Sequence, residues 1–168
     1  MTAKIAAQAA VPRTITDLLG AVELTRVVSY KLTAERVRND VEAVGSASRD
    51  LEARVRVDER QLETRFTMTV EAPGARYVAD IGTIYEFTTP VVLPLPSHVV
   101  GEFIGQVGIM AAFPYLREAV SGLAARLGAE IPVMGLIRRG ELAFGVDDST
   151  IETPVARRPV SQVEAPGP

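Results

Sequence analysis

The sequence predicts an α+β protein, with a four-stranded antiparallel sheet packed on one face by a long, broken helix. Three observations carry this. Four stretches between residues 22 and 87 alternate apolar and polar residues with period two, a Pro–Gly pair joins the last two, and an apolar run at helical spacing follows the strands. The chain of 168 residues holds one domain plus tails, and such a domain buries roughly two thirds of its unfolded surface.

The first stretch, VELTRVVSYKLTAE, sets Val22, Leu24, Val28, Tyr30 and Leu32 on one face, with Arg26 as the exception. LEARVRVDE is cleaner: Leu51, Ala53, Val55 and Val57 alternate with Glu52, Arg54, Arg56 and Asp58. LETRFTMTVEA buries Leu62, Phe66, Met68 and Val70, and YVADIGTIYEF buries Tyr77, Ala79, Ile81, Tyr85 and Phe87. Pro73 presets a turn dihedral and Gly74 accepts positive φ, so the last two strands form a hairpin. Few residues separate the second and third stretches, which extends the hairpin into a meander with one polar face. The polar segment 37–50 reads as a crossover loop with room for a helical turn.

TTPVVLPLP cannot be helical, because Pro90, Pro94 and Pro96 disfavour the helical region in the residues before them. Ser97 reads as an N-cap and Gly128 as a C-cap, with Leu116, Val120, Leu123 and Leu127 forming the apolar stripe between them. A continuous helix here would be about 45 Å long, more than a small domain is wide. It is therefore expected to break near Gly105–Gly108 and to overhang onto another subunit. Gly101, Gly105, Gly108, Ala111 and Ala112 make a small-residue surface, either an oligomer interface or simply a core helix. AEIPVMGLIRRGELAF reads as a loop and a short element ending near Phe144. The expected division is a flexible arm over 1–20, a domain over 21–144, and a disordered Pro-rich tail over 145–168.

Composition narrows the function. Hydrophobic residues at 47% and charged residues at 23% describe a globular chain. The net charge of −3 gives no footprint for nucleic acid. Absence of cysteine removes disulfides, thiolate nucleophiles and thiolate-held metals. The N-terminal MTAKIAAQAAVPRT is too weakly apolar for a signal peptide, and Glu102 and Gln106 interrupt the apolar run 99–113 before it reaches the roughly 20 residues a membrane helix needs. A cytoplasmic protein without stable membrane insertion is expected. His98 is the single histidine and its neighbour Ser97 does not make a triad, which needs a third orienting group from a distant segment. Asp147 and Asp148 read as solvation of the tail, and Arg138–Gly140 as a loop surface. No catalytic residues, metal ligands or cofactor motif are assigned. Such an object binds something.

FPYLREAV, following GQVGIMAA and preceding LAARLGAEIPVMGL, resembles the signature helix of the SecB family of protein-export chaperones. IYEF matches the family's end of strand four, and the resemblance spans roughly residues 22–144. Arg outnumbers Lys by 16 to 2, as in a GC-rich genome, so a divergent actinobacterial or phage member is the form expected. The resemblance implies a dimer of dimers, assembled through long helices and first strands, that holds unfolded polypeptides in apolar grooves without ATP and in many members delivers them to the motor SecA. Tyr85, Phe87, Phe113 and Tyr115 are the groove candidates, with Met110 and Met134 as adaptable packing, though each is equally compatible with core. Asp80 and Glu86 are the candidates for a motor-docking surface, diluted by Arg54, Arg56 and Arg65. No C-terminal helix of the export chaperones is recognisable after Phe144. The expected function is an ATP-independent holdase, not an enzyme. A chaperone dedicated to the antitoxin of a toxin–antitoxin system is the alternative, and a hotdog-type acyl-thioester enzyme a more distant one, disfavoured because its main helix follows the first strand.

Overall fold

The computed structural model describes residues 9–37, 48–135 and 151–152, with 48, 151 and 152 as backbone only. The alternating stretches form the four strands expected of them: β1 (Val22–Arg36), β2 (Ser48–Val57), β3 (Gln61–Ala72) and β4 (Ala75–Phe87). They lie in the order β1-β4-β3-β2, every pair antiparallel. Gly74 takes a φ of +73° in the two-residue turn between β3 and β4. The β2–β3 turn is held by the Asp58 carboxylate, which accepts from the backbone N–H groups of Arg60 and Gln61 at 2.8 and 2.9 Å.

In β2, β3 and β4 the apolar residues share the helix-covered face as their spacing predicts, apart from Val78 and Ile84 of β4, which lie on the outer one. β1 departs from its expected pattern. Its pairing with β4 is interrupted at Thr25 and at Tyr30, where the register shifts by one residue. Each bulge flips the alternation. Val22, Leu24, Val27, Leu32 and Ala34 pair with helix-side residues of β4, whereas Arg26 and Val28 pair with the outward Ile84 and Gly82. Arg26 is thus no exception: it sits on the outer face because the strand has been re-phased.

The arm expected over 1–20 is not a simple arm. Thr14 caps a helix α1 (Ile15–Ala21) through a reciprocal box, its hydroxyl accepting from Asp17 N–H at 3.1 Å while the Asp17 carboxylate accepts from Thr14 N–H at 3.0 Å. Leu18 of this helix is fully buried in the core. Residues 1–8, and most of the crossover, fall outside the described region, as do Arg138–Gly140 and Asp147–Asp148. So does the tail, apart from Ile151–Glu152, which form a short strand β5 parallel to β2.

The long helix runs from Ser97 to Leu127. It comprises α2 (Ser97–Phe103), a π-helical turn (Ile104–Gly108) and α3 (Ile109–Leu127). The expected break is therefore a widened turn in an unbroken helix. Pro96 rather than Ser97 occupies the cap position, with no side-chain hydrogen bond, while Gly128 ends the helix at φ +63°. Ile109, Ala112, Phe113, Leu116, Val120, Leu123 and Ala124 cover the sheet. By length and composition the helix could cross a membrane, but 56% of its most apolar stretch is buried against its own protein.

Candidate functional site

The FPYLRE segment lies in the first half of α3, the helix that packs on β4, β1 and β3. Its Phe113 is core, only 7% exposed, and its ring is flanked by the guanidinium of Arg49 from β2 at 5.8 Å and of Arg117 at 5.9 Å. Tyr115, two residues on, points the other way and is 48% exposed, and Met110 one turn back is 42% exposed. The remaining groove candidates divide in the same manner. Tyr85 is buried edge-on against Phe103 with centroids 4.9 Å apart, Met134 is buried, and Phe87 is half-buried. Burial pushes the Tyr85 hydroxyl up from its ordinary pKa.

Three of the six groove candidates are therefore core, Phe87 is intermediate, and Met110 and Tyr115 remain available. The structure adds residues that sequence reasoning counted as buried. Leu24 and Leu32, on the helix side of β1, are both 43% exposed because β1 is an edge strand the helix does not fully cover. Ile131 and Val133, after α3, are also exposed. The proline-bearing composition of 129–134 was the available signal for the last two; nothing local marks Leu24 or Leu32.

Of the two readings of the small-residue surface, oligomer interface or core helix, the structure favours the second for most of it. Gly105, Gly108 and Ala112 are buried within the protomer, and Gly101 is half-buried. A Cβ on Gly108 would come within 2.8 Å of the Thr64 hydroxyl, so the glycine exists to let the helix approach its own sheet.

The outer face of the sheet carries a second constellation. Asp80 of β4 receives the Arg65 guanidinium in a two-pronged pair, Nε to Oδ1 at 2.7 Å and Nη2 to Oδ2 at 2.6 Å. The Tyr30 ring stacks on that guanidinium, 4.1 Å from its central carbon, and lies over Gly82, where a Cβ would meet the ring at 2.7 Å. The Tyr30 hydroxyl donates to Glu63, which holds the phenol above its usual pKa. Asp80 is consequently sequestered and offers little to a docking partner. Glu86 is exposed and stands opposite Glu23. Arg26, Lys31, Arg54 and Arg56 surround the cluster, so the middle of this face leans basic, contrary to an acidic docking surface.

The His98 ring lies 3.4 Å from the Arg13 carbonyl, tying the helix start to the N-terminal segment. Among the described residues, no group of three or more His, Cys, Asp or Glu side chains is placed to hold a metal. What the geometry offers instead is exposed apolar surface on a helix and an edge strand. That defines the class by its fold: an α+β protein with an antiparallel sheet covered by one long helix.

The comparisons specify the class further. The chain is 36% identical over 126 residues to the SecB-like chaperone SmegB of Mycolicibacterium smegmatis, covering 75% of this chain and 82% of that protein. It therefore belongs to the SecB-like chaperone family. Among solved structures it resembles the Mycobacterium tuberculosis SecB-like chaperone Rv1957, determined in complex with a ChAD peptide from the HigA1 antitoxin. That match has a TM-score of 0.62 at 15% identity and covers 73% of this chain and 95% of the other. The SecB-like fold read from the sequence is the fold observed. No family model matches the sequence.

Proposed function

We propose that this SecB-like chaperone is an ATP-independent holdase, acting by binding and not by chemistry, that keeps extended polypeptides from aggregating in the cytoplasm. The carrying observation is the pair Met110 and Tyr115, exposed on the same helix whose Phe113 and Leu116 are committed to the core. A flexible thioether and an amphipathic ring are adaptable contacts for many client sequences. Expected in a test is that Met110→Ser/Tyr115→Ser weakens suppression of aggregation of a chemically denatured client about tenfold, with the urea midpoint nearly unchanged, because about 1.4 kcal/mol of lost contact is a factor of ten. Full suppression by the double variant at the same molar ratio would remove these residues from the client surface.

The choice of client has a second reading. The antitoxin peptide bound to the structural neighbour favours a dedicated antitoxin client, and the sequestered Asp80 argues against delivery to SecA. Titrating the chaperone with an antitoxin peptide and, separately, with SecA separates the two: antitoxin binding without SecA binding supports the dedicated role, and the reverse supports export.

A further inference from the structure

The outer face of the sheet carries a charge pattern that the holdase reading does not use. Across the strands at one level, Arg26 of β1 aligns with Ile84, Glu63 and Arg56. One step along, on the same face, Val28 aligns with Gly82, Arg65 and Arg54. These two rows hold the four arginines against the single carboxylate of Glu63. The rows beyond them turn acidic. Glu23 stands opposite Glu86 at one border, and at the other Asp80 and Glu52 share a level with Lys31, followed by Asp50. The sheet thus bears a basic band, four strands wide and two rows deep, between acidic borders.

Sorting the signs in this way costs stability. Arg54 lies directly opposite Arg65 in the β2–β3 ladder, and Glu23 directly opposite Glu86 in the β1–β4 ladder. Like charges in that position destabilise a sheet, and a face that serves only solubility intersperses the two signs. The band is also poorly neutralised from within. Arg65 is committed to Asp80, but Arg54 reaches only Glu52, at 4.0 Å with the two side chains 61% and 63% exposed. Among the described residues, Arg26 and Arg56 form no ion pair. Arg54 and Arg56 line a cleft of about 170 Å³ with Tyr30, Val55, Glu63 and Arg65. The Tyr30 ring forms one wall of it, held by its stacking on Arg65 and its hydroxyl bond to Glu63.

The size and borders of the band select its partner. Three strand spacings make it about 14 Å long, the span of about four extended residues. A nucleic acid or other long polyanion would carry its charge onto the acidic borders and be repelled there, whereas a short acidic run with neutral or basic flanks complements band and borders together. We propose that this band is a docking site for a short acidic segment of a partner protein, about four residues long and flanked by basic or neutral ones. Its sign is the reverse of the acidic docking surface expected from the sequence, so it takes a partner of different chemistry. It lies on the opposite face of the sheet from the helix that carries Met110 and Tyr115, which leaves the apolar surface of that helix free for a client.

The test uses the full chain and three fluorescein-labelled peptides, followed by anisotropy at about 50 mM salt, where exposed charges are only partly screened. The first holds four consecutive glutamates between lysine flanks. The second has the same residues with the signs alternated, and the third exchanges every glutamate for lysine and every lysine for glutamate. The wild type is expected to bind the first about fivefold tighter than the second. Arg54→Gln/Arg56→Gln, and separately Arg26→Gln on β1, weaken binding of the first roughly three- to tenfold. Arg76→Gln, which removes a cation paired with Glu35 and Glu71 outside the band, leaves it unchanged. Arg54→Glu/Arg56→Glu shifts the preference to the third peptide, a reversal that a purely structural role for these arginines would not produce. Suppression of client aggregation is the same for the wild type and the glutamine variants. No binding of the first peptide by the wild type, equal binding of the first and second, or tighter binding of a single-stranded DNA oligonucleotide than of the first overturns the inference and leaves the holdase reading standing. Failure of the wild type to suppress aggregation overturns the holdase reading and leaves the docking site standing.

Discussion

Tyr30 shows how much a single side chain is decided by its surroundings. It is an exposed aromatic by area, yet its ring stacks on Arg65, its edge covers Gly82 and its hydroxyl donates to Glu63. The hydrogen bond to Glu63 is the main reason its pKa is raised, with burial and the Glu63 charge adding to it. A raised folded pKa means that this contribution to stability is complete below the ordinary value of 10.0 and is lost as pH rises through the folded value. Ring-carbon NMR shifts should therefore place the Tyr30 midpoint above 10.0, and Glu63→Ala should bring it down toward that value. A midpoint that Glu63→Ala leaves in place would mean the phenol is held by something other than this hydrogen bond.

At the scale of the element, the long helix depends on two glycines in opposite ways. Gly108 closes the π-helical turn directly over Thr64, whose hydroxyl is locked to that of Thr83 at 2.7 Å beneath it. Thr64 is thus poorly able to retreat from a new methyl group. Gly108→Ala is expected to destabilise by about 1–3 kcal/mol, the usual penalty of overpacking a filled interior. Gly122, with no neighbour nearer than the Glu118 carboxylate at 3.9 Å, gives the contrast. Gly122→Ala should stabilise by up to about 1 kcal/mol, since alanine restricts the unfolded chain and suits a helix better. Urea unfolding of the two variants reads both signs, and a neutral Gly108→Ala would show that the helix can lift from the sheet at its widened turn.

For the whole molecule, the edge of β1 is the surface on which the expected tetramer can be tested. This strand is fifteen residues long and, among the described residues, pairs only with β4, with Leu24, Tyr30 and Leu32 exposed along it. A long apolar edge invites pairing with another chain. With most of the small-residue stripe used inside the chain's own core, the tetramer expected from the sequence would have to use this edge or the outer side of the helix. Light scattering at micromolar concentration is expected to give a mass near four times that of the chain, and Leu24→Asp/Leu32→Asp to reduce it. A wild-type monomer would contradict the tetramer directly.

Much of this protein was legible in sequence because its signals are local. Period-two alternation placed β2, β3 and β4 on the correct faces, Pro73–Gly74 specified the hairpin, and Gly128 marked the helix end. The FPYLRE run pointed to the SecB-like family that the comparisons establish. What the sequence could not resolve depends on contacts between distant segments. Two bulges re-phase β1, and no pattern within β1 reveals where its partner slips. Phe113 and Tyr115 are two aromatics in one motif, yet one is core and one is surface, because only the position of the sheet decides which side of α3 is covered. Asp80 was a docking candidate already diluted by Arg54, Arg56 and Arg65, but that Arg65, fifteen residues away, closes on it in a two-pronged pair is decided only by the strand pairing. Periodicity and turn chemistry thus determined the elements, whereas register and the stacking of helix on sheet determined which side chains remain to meet a client. Burial is a property of two surfaces together, and a sequence displays them one at a time.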